Sequence, residues 1–498
     1  MNQFWILLSI LLPIAGGIAS VFLPIKQKKI RMIFVEGVTI LTSFIVWKIL
    51  SGGTVETFHM IYFMNNLSLS LKVDGLSMVF AGLVSVLWPL ATLYAFEYME
   101  HEEHENVFFM FYSMTYGVTL GIAFASDMLT MYFFYELLTL TTVPLVLHTL
   151  KREAVLATRK YLYYSFGGAA FALMGLVFII SYGSVCEFEF GGVLDPAKVG
   201  DQTNLLLWIY LFAFMGFGVK SAIWPLSSWL PQAGVAPTPV TALLHAVAVV
   251  KAGVFAIMRL TYYSFGTDFL RGTWVQYVVM AFAIFTIVYG CSCAIKETHI
   301  KRRLAYSTVS NLSYIIFGIT LMSPAGLAGA LMHMICHGVM KICSFLCAGA
   351  FMHQTGKSYI YDMDGMGRKM PIVFGCFAVS ALGLMGVPGM AGFISKWSLA
   401  EAAVESGNVM AYVGIAALLI SALLTAIYML SVVSRAFFPK QDFDYSTIQT
   451  IKDPTWKMCL PLLACAAGTI LLGLYSQPLM EFLVSVANGL GSSFVNLM

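Results

Sequence analysis

The sequence predicts an all-α polytopic membrane protein, and its composition and its long apolar runs lead to this prediction. Of its 498 residues, 59% are hydrophobic and 11% are charged, whereas charged residues make up about 25% of an average soluble domain. The mean hydropathy is +0.83, so there are too few polar residues to cover the surfaces of soluble domains. The chain also contains fourteen apolar runs of roughly 20 residues, the length that spans the hydrocarbon core of a bilayer.

Charged or turn-forming residues bound each run, and we expect each run to form one transmembrane helix. The runs cover residues 4–25, 31–50, 75–96, 107–126, 127–148, 158–183, 204–225, 238–262, 274–295, 304–322, 325–352, 371–398, 409–437 and 456–475. The first run has no basic segment before it and is longer than the core of a signal peptide, so we expect a retained helix. Room for structure outside the bilayer remains at 51–73, 186–203 and 438–455. The prediction is a single integral membrane domain over residues 1–498.

The distribution of Lys and Arg between alternate loops predicts the orientation of the helices, because short cytoplasmic loops carry an excess of positive charge. One set of alternate loops carries 19 basic residues, among them Lys26, Arg152 and Arg302, and the opposite set, which includes Arg259, carries five. We therefore expect the first set on the cytoplasmic side of the cell membrane and both termini outside. The bias keeps its phase through all fourteen runs, whereas one missed helix would invert it.

Net charge and cysteine content exclude several classes of function. The formal net charge is +3, which gives no electrostatic reason to expect a nucleic-acid partner. The nine cysteines are scattered singly, in spacings that fit no zinc site, disulfide framework or iron–sulfur cluster. The sequence also has no flavin, nicotinamide or haem signature. We therefore expect no metal and no cofactor in this chain, and any redox energy must come from partner subunits.

Five ionisable residues lie well inside the apolar runs and are the first candidates for a functional site. Four are lysines, Lys220, Lys251, Lys341 and Lys396, and the fifth is Glu136. A charged side chain at the centre of a transmembrane helix costs about 2.5–3.5 kcal/mol on the insertion scale. Snorkelling towards the interface would reduce this cost, and it is the competing interpretation, above all for Lys251. Glu136 is the expected counter-ion for one of the lysines.

Histidines add a second signal. His333, His337 and Lys341 are spaced i, i+4 and i+8, so they share one face of a helix. His245 and Lys251 are six residues apart, which separates them by roughly 120° on an ideal helix. A neutral imidazole both donates and accepts, which suits a proton relay. The competing interpretation is hydrogen bonding between helices, and a metal site is disfavoured because no nearby Cys or carboxylate completes a ligand set.

Two of the lysines end segments with the same pattern, G-F-x-x-K. Lys220 is followed by Pro225, and Lys396 is preceded by Pro388. Proline interrupts helical hydrogen bonding, so helices 7 and 12 are predicted to be broken. Broken helices within a membrane line cavities and bind ions. The two segments lie five runs apart, and an odd number of crossings predicts an inverted-topology repeat.

Three motifs resemble those of a known family, the antiporter-like subunits. The motifs are Val73-Asp74-Gly75-Leu76-Ser77, Phe134-Tyr135-Glu136-Leu137, and the long segment from Trp224-Pro225-Leu226 to Leu243-Leu244-His245-Ala246. The family comprises the proton-pumping L-, M- and N-type subunits of complex I, the large subunits of Mrp-type Na⁺/H⁺ antiporters, and membrane subunits of membrane-bound hydrogenases. The resemblance covers nearly the whole chain. Lys396 and the short segment after helix 14 resemble the D-type subunit of Mrp antiporters in particular.

The resemblance implies a domain organisation and a set of ion-translocating residues. Two inverted five-helix repeats are implied, helices 4–8 in 107–262 and helices 9–13 in 274–438, with helices 1–3 in 1–106 and helix 14 at 456–475. Glu136 and Lys220 correspond to the family's Glu–Lys pair, Lys251 to its central lysine, and Lys396 to its terminal group. The complete set of residues expected to carry ions is Glu136, Lys220, His245, Lys251, His333, His337, Lys341 and Lys396.

Two functions remain compatible with such a relay. The first is translocation of protons, or of Na⁺ and H⁺, in a complex driven by redox partner subunits, as in complex I-like or membrane-bound hydrogenase assemblies. The second is service as a subunit of an Mrp-type secondary Na⁺/H⁺ antiporter. A structural scaffold does not require five buried ionisable side chains. Low dielectric disfavours a charged lysine and a nearby carboxylate restores it, so contact between Glu136 and Lys220 would hold a proton that separation releases towards Lys251.

Overall fold

The computed structural model describes residues 2–22, 27–63, 67–440 and 443–489, and nearly all regular structure in these ranges is helical. The all-α fold class is therefore confirmed. Residues 23–26, which include Lys26 and the end of the first predicted run, lie outside the described residues. Within the described ranges, one two-stranded antiparallel sheet is formed by β1 (Val55–Tyr62) and β2 (Ser68–Val73).

Helices of the N-terminal half follow the predicted runs closely. They are α1 (Asn2–Phe22), α2 (Lys28–Ser51), α3 (Gly75–Tyr98), α4 (Glu105–Ala123), α5 (Met128–Leu147), α6 (Arg152–Tyr182), α7 (Pro196–Val199), α8 (Thr203–Gly218), α9 (Trp229–Ala233), α10 (Thr238–Ala246), α11 (Val249–Met258) and α12 (Thr267–Leu270). Between α11 and α12 the chain forms a π-helix over Arg259–Phe265. Such wide turns occur frequently at functional sites.

The C-terminal half contains the longest helix of the fold. Its helices are α13 (Trp274–Lys296), α14 (Ile300–Thr320), α15 (Pro324–Thr355), α16 (Pro371–Met385), α17 (Ala391–Glu405), α18 (Val409–Phe437), α19 (Trp456–Leu474) and α20 (Gln477–Ala487). Short 3₁₀ turns at Met99–His101, Gly200–Gln202, Ile360–Met363, Met366–Arg368 and Tyr445–Ile448 lie in the connections.

Among the described residues, eleven helical segments are long and apolar enough to cross a bilayer, so the chain is a multi-pass integral membrane protein. The three other predicted runs coincide with α8, with α14 and with the pair α16 and α17. α8 has 16 residues and α16 has 15, because each ends at a break. α14 carries Lys301, Arg302 and Arg303 in its first turn. The total of fourteen spans stays a prediction.

The β-hairpin occupies the first stretch predicted to lie outside the bilayer, and it leads directly into α3. The backbone N–H of Ser70, on β2, donates to the hydroxyl of Thr130 at 2.9 Å, which ties the hairpin to the start of α5. Asp74 then caps α3, because its carboxylate accepts from the N–H of Ser77 at 2.9 Å. A cap of this kind satisfies a free amide of the first helical turn.

The buried centre of the fold is formed by the helices that carry the predicted site. Every residue in the most apolar stretch of Thr238–Phe265 is buried, as are 89% of the residues in the most apolar stretch of α15. The corresponding fraction is 39% in α1, α2, α6 and α18, whose outer faces are apolar. Ionisable residues on the central helices are thus shielded by protein on every side.

A buried carboxylate joins α19 to α3. Glu97, near the end of α3, accepts hydrogen bonds from the backbone N–H of Thr455 at 2.9 Å and from the Thr455 hydroxyl. Thr455 is the N-cap of α19, so the carboxylate lies at the positive end of that helix dipole. Because α3 and α19 both pack against α15, this contact fixes two walls around the central helix.

Candidate ion-translocation site

Lys220 lies in the break that follows α8. The helix ends at Gly218, and Pro225, which has no N–H, prevents the helical ladder from continuing. Trp229 holds the broken segment in place, because its indole N–H donates to the Val219 carbonyl at 2.8 Å. The break predicted for helix 7 is therefore present, and the lysine sits within it.

Gly253 allows α11 to pass directly over this break. A Cβ atom at residue 253 would lie 2.5 Å from the backbone nitrogen of Ser221 and 2.9 Å from the carbonyl carbon of Lys220. Only glycine permits so close an approach without displacement of backbone. The backbone that carries Lys251 is thereby fitted against the backbone that carries Lys220.

The Lys220 ammonium points at α5, one residue away from Glu136. It donates to the backbone carbonyl of Tyr135 and lies 3.4 Å from the centroid of the Tyr135 ring, a cation–π contact. Lys220 is 1% exposed, and it is the charge that acts electrostatically on Glu136. The two side chains do not form an ion pair within 4.0 Å, and Oε1 of Glu136 is buried without a hydrogen-bond partner. Glu136 and Lys220 are therefore neighbours in the fold, as predicted, but they do not form an ion pair.

The eighth predicted span, residues 238–262, is broken between His245 and Lys251. This break was not predicted from the sequence. α10 ends at Ala246, and the N–H groups of Val247 and Ala248 both donate to the Leu243 carbonyl, at 3.0 and 2.8 Å. α11 begins at Val249. The angle calculated for one ideal helix therefore does not apply, because the two residues lie on separate helices.

His245 is completely buried at this break. Its ring lies 4.7 Å from the Phe345 ring, centroid to centroid, and neither ring nitrogen has a hydrogen-bond partner in the structure. Buried polar atoms are rarely left unpaired in native proteins, and an ordered water commonly supplies the missing bond.

Lys251 joins the first half of the chain to the second. Its Nζ lies 2.8 Å from Nδ1 of His337, on α15. His333, one turn earlier, places its ring 5.9 Å from that of His337, and its Nδ1 lies 2.9 Å from the Ser395 hydroxyl on α17. The predicted common face of the two histidines is therefore present. Because Lys251 is fully buried and hydrogen-bonded to His337, it does not snorkel.

Lys341 lies two turns beyond His333 on α15 and points at α14. Its ammonium donates to the hydroxyl of Ser307 at 2.6 Å and to the carbonyl of Leu304 at 3.3 Å. No carboxylate lies within 4.0 Å of it among the described residues. A buried ammonium held by neutral acceptors is in a setting that favours loss of its proton.

Lys396 lies on α17, just after the break in helix 12. Its ammonium donates to the carbonyls of Leu384, at 2.6 Å, and Met385, at 3.1 Å. These carbonyls form the last turn of α16, whose negative dipole end favours a cation. Gly386, with a φ of 89°, turns the chain away at this point. Helix-end carbonyls therefore hold the charge of Lys396.

Among the predicted residues, the structure shows a direct contact between Lys251 and His337 and stacked rings at His337 and His333. On α15, His337 lies between His333 and Lys341, one turn from each. The Nε2 atoms of His333 and His337 have no partner in the structure, so each neutral ring retains a free position at which it can accept or donate.

The buried ion pair between Arg259 and Asp74 was not predicted from the sequence. The guanidinium makes two bonds to the carboxylate, at 2.5 and 2.8 Å, and a third to the Ser77 hydroxyl at 3.1 Å. Arg259 is 1% exposed and begins the π-helix after α11, yet it was assigned to an outer loop. The position of Asp74 directly before α3, on the same predicted side of the membrane as Arg259, was the available signal. This pair anchors the end of the helix that carries Lys251.

Hydroxyl groups around the lysines were also missed. Ser307 and Ser395 contact Lys341 and His333 directly, and the Tyr314 ring centroid lies 5.4 Å from Nζ of Lys396. A search for serine, threonine and tyrosine at helical spacing within the apolar runs would have found them. In the part of the chain that the structure describes, no cluster of His, Cys, Asp and Glu is arranged to hold a metal ion.

Comparison with protein families gives two matches that together cover most of the chain. Residues 125–425 match the family described as NADH:quinone oxidoreductase/Mrp antiporter, TM. Residues 62–109 match NADH-ubiquinone oxidoreductase (complex I), chain 5 N-terminus. All eight of the predicted ion-carrying residues fall within the first match.

Relatives of both types of complex are similar in sequence. NADH-quinone oxidoreductase subunit N of Desulforudis audaxviator is 28% identical over 84% of this chain and 84% of its own length. The A-type subunit of the Na(+)/H(+) antiporter of Alkalihalophilus pseudofirmus is 31% identical over 70% of this chain, a region that spans 44% of the longer relative. NADH-quinone oxidoreductase subunit L of Rickettsia felis is 27% identical over 97% of the chain and 75% of its own length.

Two solved structures have the same fold. A chain of the archaeal membrane-bound sulfane sulfur reductase superposes with a TM-score of 0.84 at 21% identity, covering 99% of both chains. A chain of the Mrp complex from Dietzia sp. DQ12-45-1b gives 0.83 at 20% identity, covering 99% of this chain and 98% of the other. The resemblance inferred from the three motifs is confirmed. The chain belongs to the family of NADH:quinone oxidoreductase and Mrp antiporter transmembrane proteins.

Proposed function

We propose that this chain is the ion-translocating membrane subunit of a multisubunit complex and that it moves protons along its buried ionisable residues. The route runs from Glu136 and Lys220 past His245 to Lys251 and then to His337, which has His333 and Lys341 one turn away on either side, and it ends at Lys396. The observation that carries the proposal is the 2.8 Å contact between Lys251 and His337. This contact connects the two halves of the chain at a fully buried position. A contact that only held two helices together would not need an ionisable side chain there.

The energetics of burial explain how such a route can operate. Each lysine is held in a low-dielectric setting by carbonyls, hydroxyls, an aromatic ring or an imidazole, so its protonated form is costly and its proton is easily given up. A carboxylate that approaches reverses this preference. Closure of the gap between Glu136 and Lys220 loads the lysine, and reopening sends the proton towards Lys251.

The energy for pumping comes from partner subunits in this proposal. Two of the relatives are named as subunits of NADH-quinone oxidoreductases, and the sequence offers no electron carrier of its own. A redox-driven assembly at the cell membrane, with other membrane subunits as neighbours and protons as the cargo, is the arrangement that fits these features.

A second candidate is a subunit of a secondary Na⁺/H⁺ antiporter. It is favoured by the 31% identity to the A-type subunit of a Na(+)/H(+) antiporter, and by the likeness of Lys396 to the terminal lysine of the D-type Mrp subunits. Both candidates use the same channel residues. They differ in the driving force, since the antiporter moves protons in response to a Na⁺ gradient without electron transfer.

The proposal includes an orientation and a division of the chain. The loops at 151–160 and 296–303 face the cytoplasm, the loop at 186–203 faces outwards, and both termini lie outside, which follows from the uneven distribution of basic residues. Residues 107–262 and 274–438 form two inverted halves, between helices 1–3 in 1–106 and helix 14 at 456–475. The recurrence of a break beside Lys220 and Lys396 supports this division.

The proposal is tested by ion flux in proteoliposomes that contain the complete complex. Glu136→Gln and Lys220→Ala are expected to reduce proton uptake at least about a hundredfold while the complex still assembles, because both groups transfer charge. Glu153→Gln, at an exposed position on α6, is the control and should pump normally. Normal pumping by either site variant would refute the route. Proton movement driven by a Na⁺ gradient alone would select the antiporter.

A further inference from the structure

Lys341 is connected to a chain of hydroxyl groups that lies outside the predicted relay. The Ser307 hydroxyl, which accepts from Lys341 at 2.6 Å, is also 2.6 Å from the phenol of Tyr428, on α18. The phenol in turn lies 3.2 Å from the hydroxyl of Thr425. A tyrosine hydroxyl carries one proton, so the Tyr428 phenol can direct that proton at either neighbour. All four side chains are buried.

The chain continues along the same face of α18. The sulfur of Cys291, on α13, lies 3.6 Å from the Thr425 hydroxyl and 2.9 Å from the Ser421 hydroxyl. Ser310, on α14, lies 3.1 Å from both the Cys291 sulfur and the Ser421 hydroxyl. These groups can each donate and accept, which is the property that a proton relay requires.

Tyr314 lies between the far end of the chain and the terminal lysine. Tyr314 brings its hydroxyl to 3.5 Å from the carbonyl of Leu418, one turn of α18 before Ser421. The face of the Tyr314 ring is the one that Lys396 approaches, at 5.4 Å from Nζ to the centroid. The hydroxyl chain therefore begins at Lys341 and leads to the part of α18 beside Tyr314, the residue whose ring faces Lys396.

Packing alone does not require this arrangement. Tyr94, an equally buried tyrosine on α3, donates to the carbonyl of Leu346 at 2.8 Å, which satisfies the phenol in the ordinary way. A carbonyl accepts a hydrogen bond but has no proton to pass on. Tyr428 contacts two hydroxyls, each of which can both receive and release a proton.

We propose that Tyr428 is a relay residue that passes protons from Lys341 towards Lys396 through Thr425, Cys291 and Ser421. The inference rests on the proposed function and adds to it the segment between these two lysines. In each passage an N–H bond of the Lys341 ammonium breaks, which leaves a neutral amine, and each hydroxyl and the Cys291 thiol gains one proton on one side and loses one on the other. The last proton forms an N–H bond on Lys396, which must be in its neutral amine form to accept it, and rotation of the O–H and S–H groups resets the chain.

The test is proton flux through the complete complex in proteoliposomes, with a matched pair of variants. Tyr428→Phe removes one relay hydroxyl and keeps the ring, whereas Tyr94→Phe removes an equally buried hydroxyl that ends on a carbonyl. We expect Tyr428→Phe to slow translocation at least about tenfold, and to raise the ratio of the rates in H₂O and D₂O. Tyr94→Phe should leave both quantities near the wild-type values. Ser307→Ala, which removes the preceding hydroxyl, should reproduce the loss.

The outcomes separate this inference from the proposed function. If Glu136→Gln stops translocation while Tyr428→Phe and Ser307→Ala both keep the wild-type rate, the relay is refuted and the function stands. If Glu136→Gln also pumps normally, the proposed function fails and the relay fails with it. Equal losses in Tyr428→Phe and Tyr94→Phe, with an unchanged isotope ratio, would show that the hydroxyls only stabilise the fold. Ser307→Ala also decides the matter should the Tyr428 variant fail to assemble.

Discussion

Replacement of Asp74 by asparagine should destabilise the protein strongly, because it leaves Arg259 buried without a counter-ion. The guanidinium is 1% exposed and makes both of its short bonds, at 2.5 and 2.8 Å, to this one carboxylate. Loss of one partner of a buried ion pair costs about 3–5 kcal/mol. Asparagine is a good N-cap, so the variant retains the cap of α3 and isolates the loss of charge. We expect a cost of about 3 kcal/mol in the free energy of unfolding.

The assay measures the free energy of unfolding of the purified complex in detergent over a series of denaturant concentrations. Two companion variants are measured beside Asp74→Asn. Asp268→Asn is the control, since its carboxylate is 91% exposed and 3.8 Å from Arg271, and it should cost less than about 1 kcal/mol. The double variant Asp74→Asn with Arg259→Met removes both charges and should recover most of the loss. A cost below about 1 kcal/mol for Asp74→Asn, or no recovery in the double variant, would refute the reasoning.

Three further outcomes follow from the geometry. Lys396→Glu should keep part of the translocation rate in proteoliposomes, because a titratable group remains at the end of the proposed route. Lys396→Leu should abolish translocation. Equal rates in the two variants would show that no proton passes through residue 396. Gly253→Ala, whose Cβ would meet the Ser221 nitrogen at 2.5 Å, should cost about 1–3 kcal/mol in unfolding measurements, while Gly167→Ala, with open space around it, should cost far less. Partial burial raises the pKa of the Cys186 thiol, although the residue is accessible to solvent. Labelling of Cys186 in intact cells by a membrane-impermeant maleimide should therefore accelerate as the pH rises, and it should vanish in Cys186→Ser. If Cys186 in intact cells is not labelled, the proposed orientation is contradicted.

Residues with strong local signals were predicted well from the sequence. Long apolar runs gave the helices, since lipid leaves few alternatives to a helix with all its backbone groups paired. Pro225 and Pro388 gave the breaks in helices 7 and 12, because proline acts on its own helix. The spacing of His333 and His337 gave their common face for the same local reason.

Features that depend on tertiary contacts could not be predicted. The break at Val247 and Ala248 contains neither proline nor glycine, so nothing in the local sequence marks it. The contact of Lys251 with His337 joins residues 86 positions apart, and its existence depends on how α11 packs on α15. Lys220 was expected to contact Glu136, yet its ammonium contacts the backbone carbonyl and the ring of Tyr135. Which of these neighbours it contacts depends on side-chain rotamers and helix packing.

The central claim is that protons cross between the two halves of the chain through Lys251. Lys251→Met keeps the length and apolar stem of the side chain and removes its charge, so the complex should assemble. Proton uptake measured in proteoliposomes should then fall at least about a hundredfold, whereas Lys198→Met, at a lysine bound to the Gly183 carbonyl in the loop outside the buried route, should pump normally. Wild-type uptake by an assembled Lys251→Met complex would contradict the account.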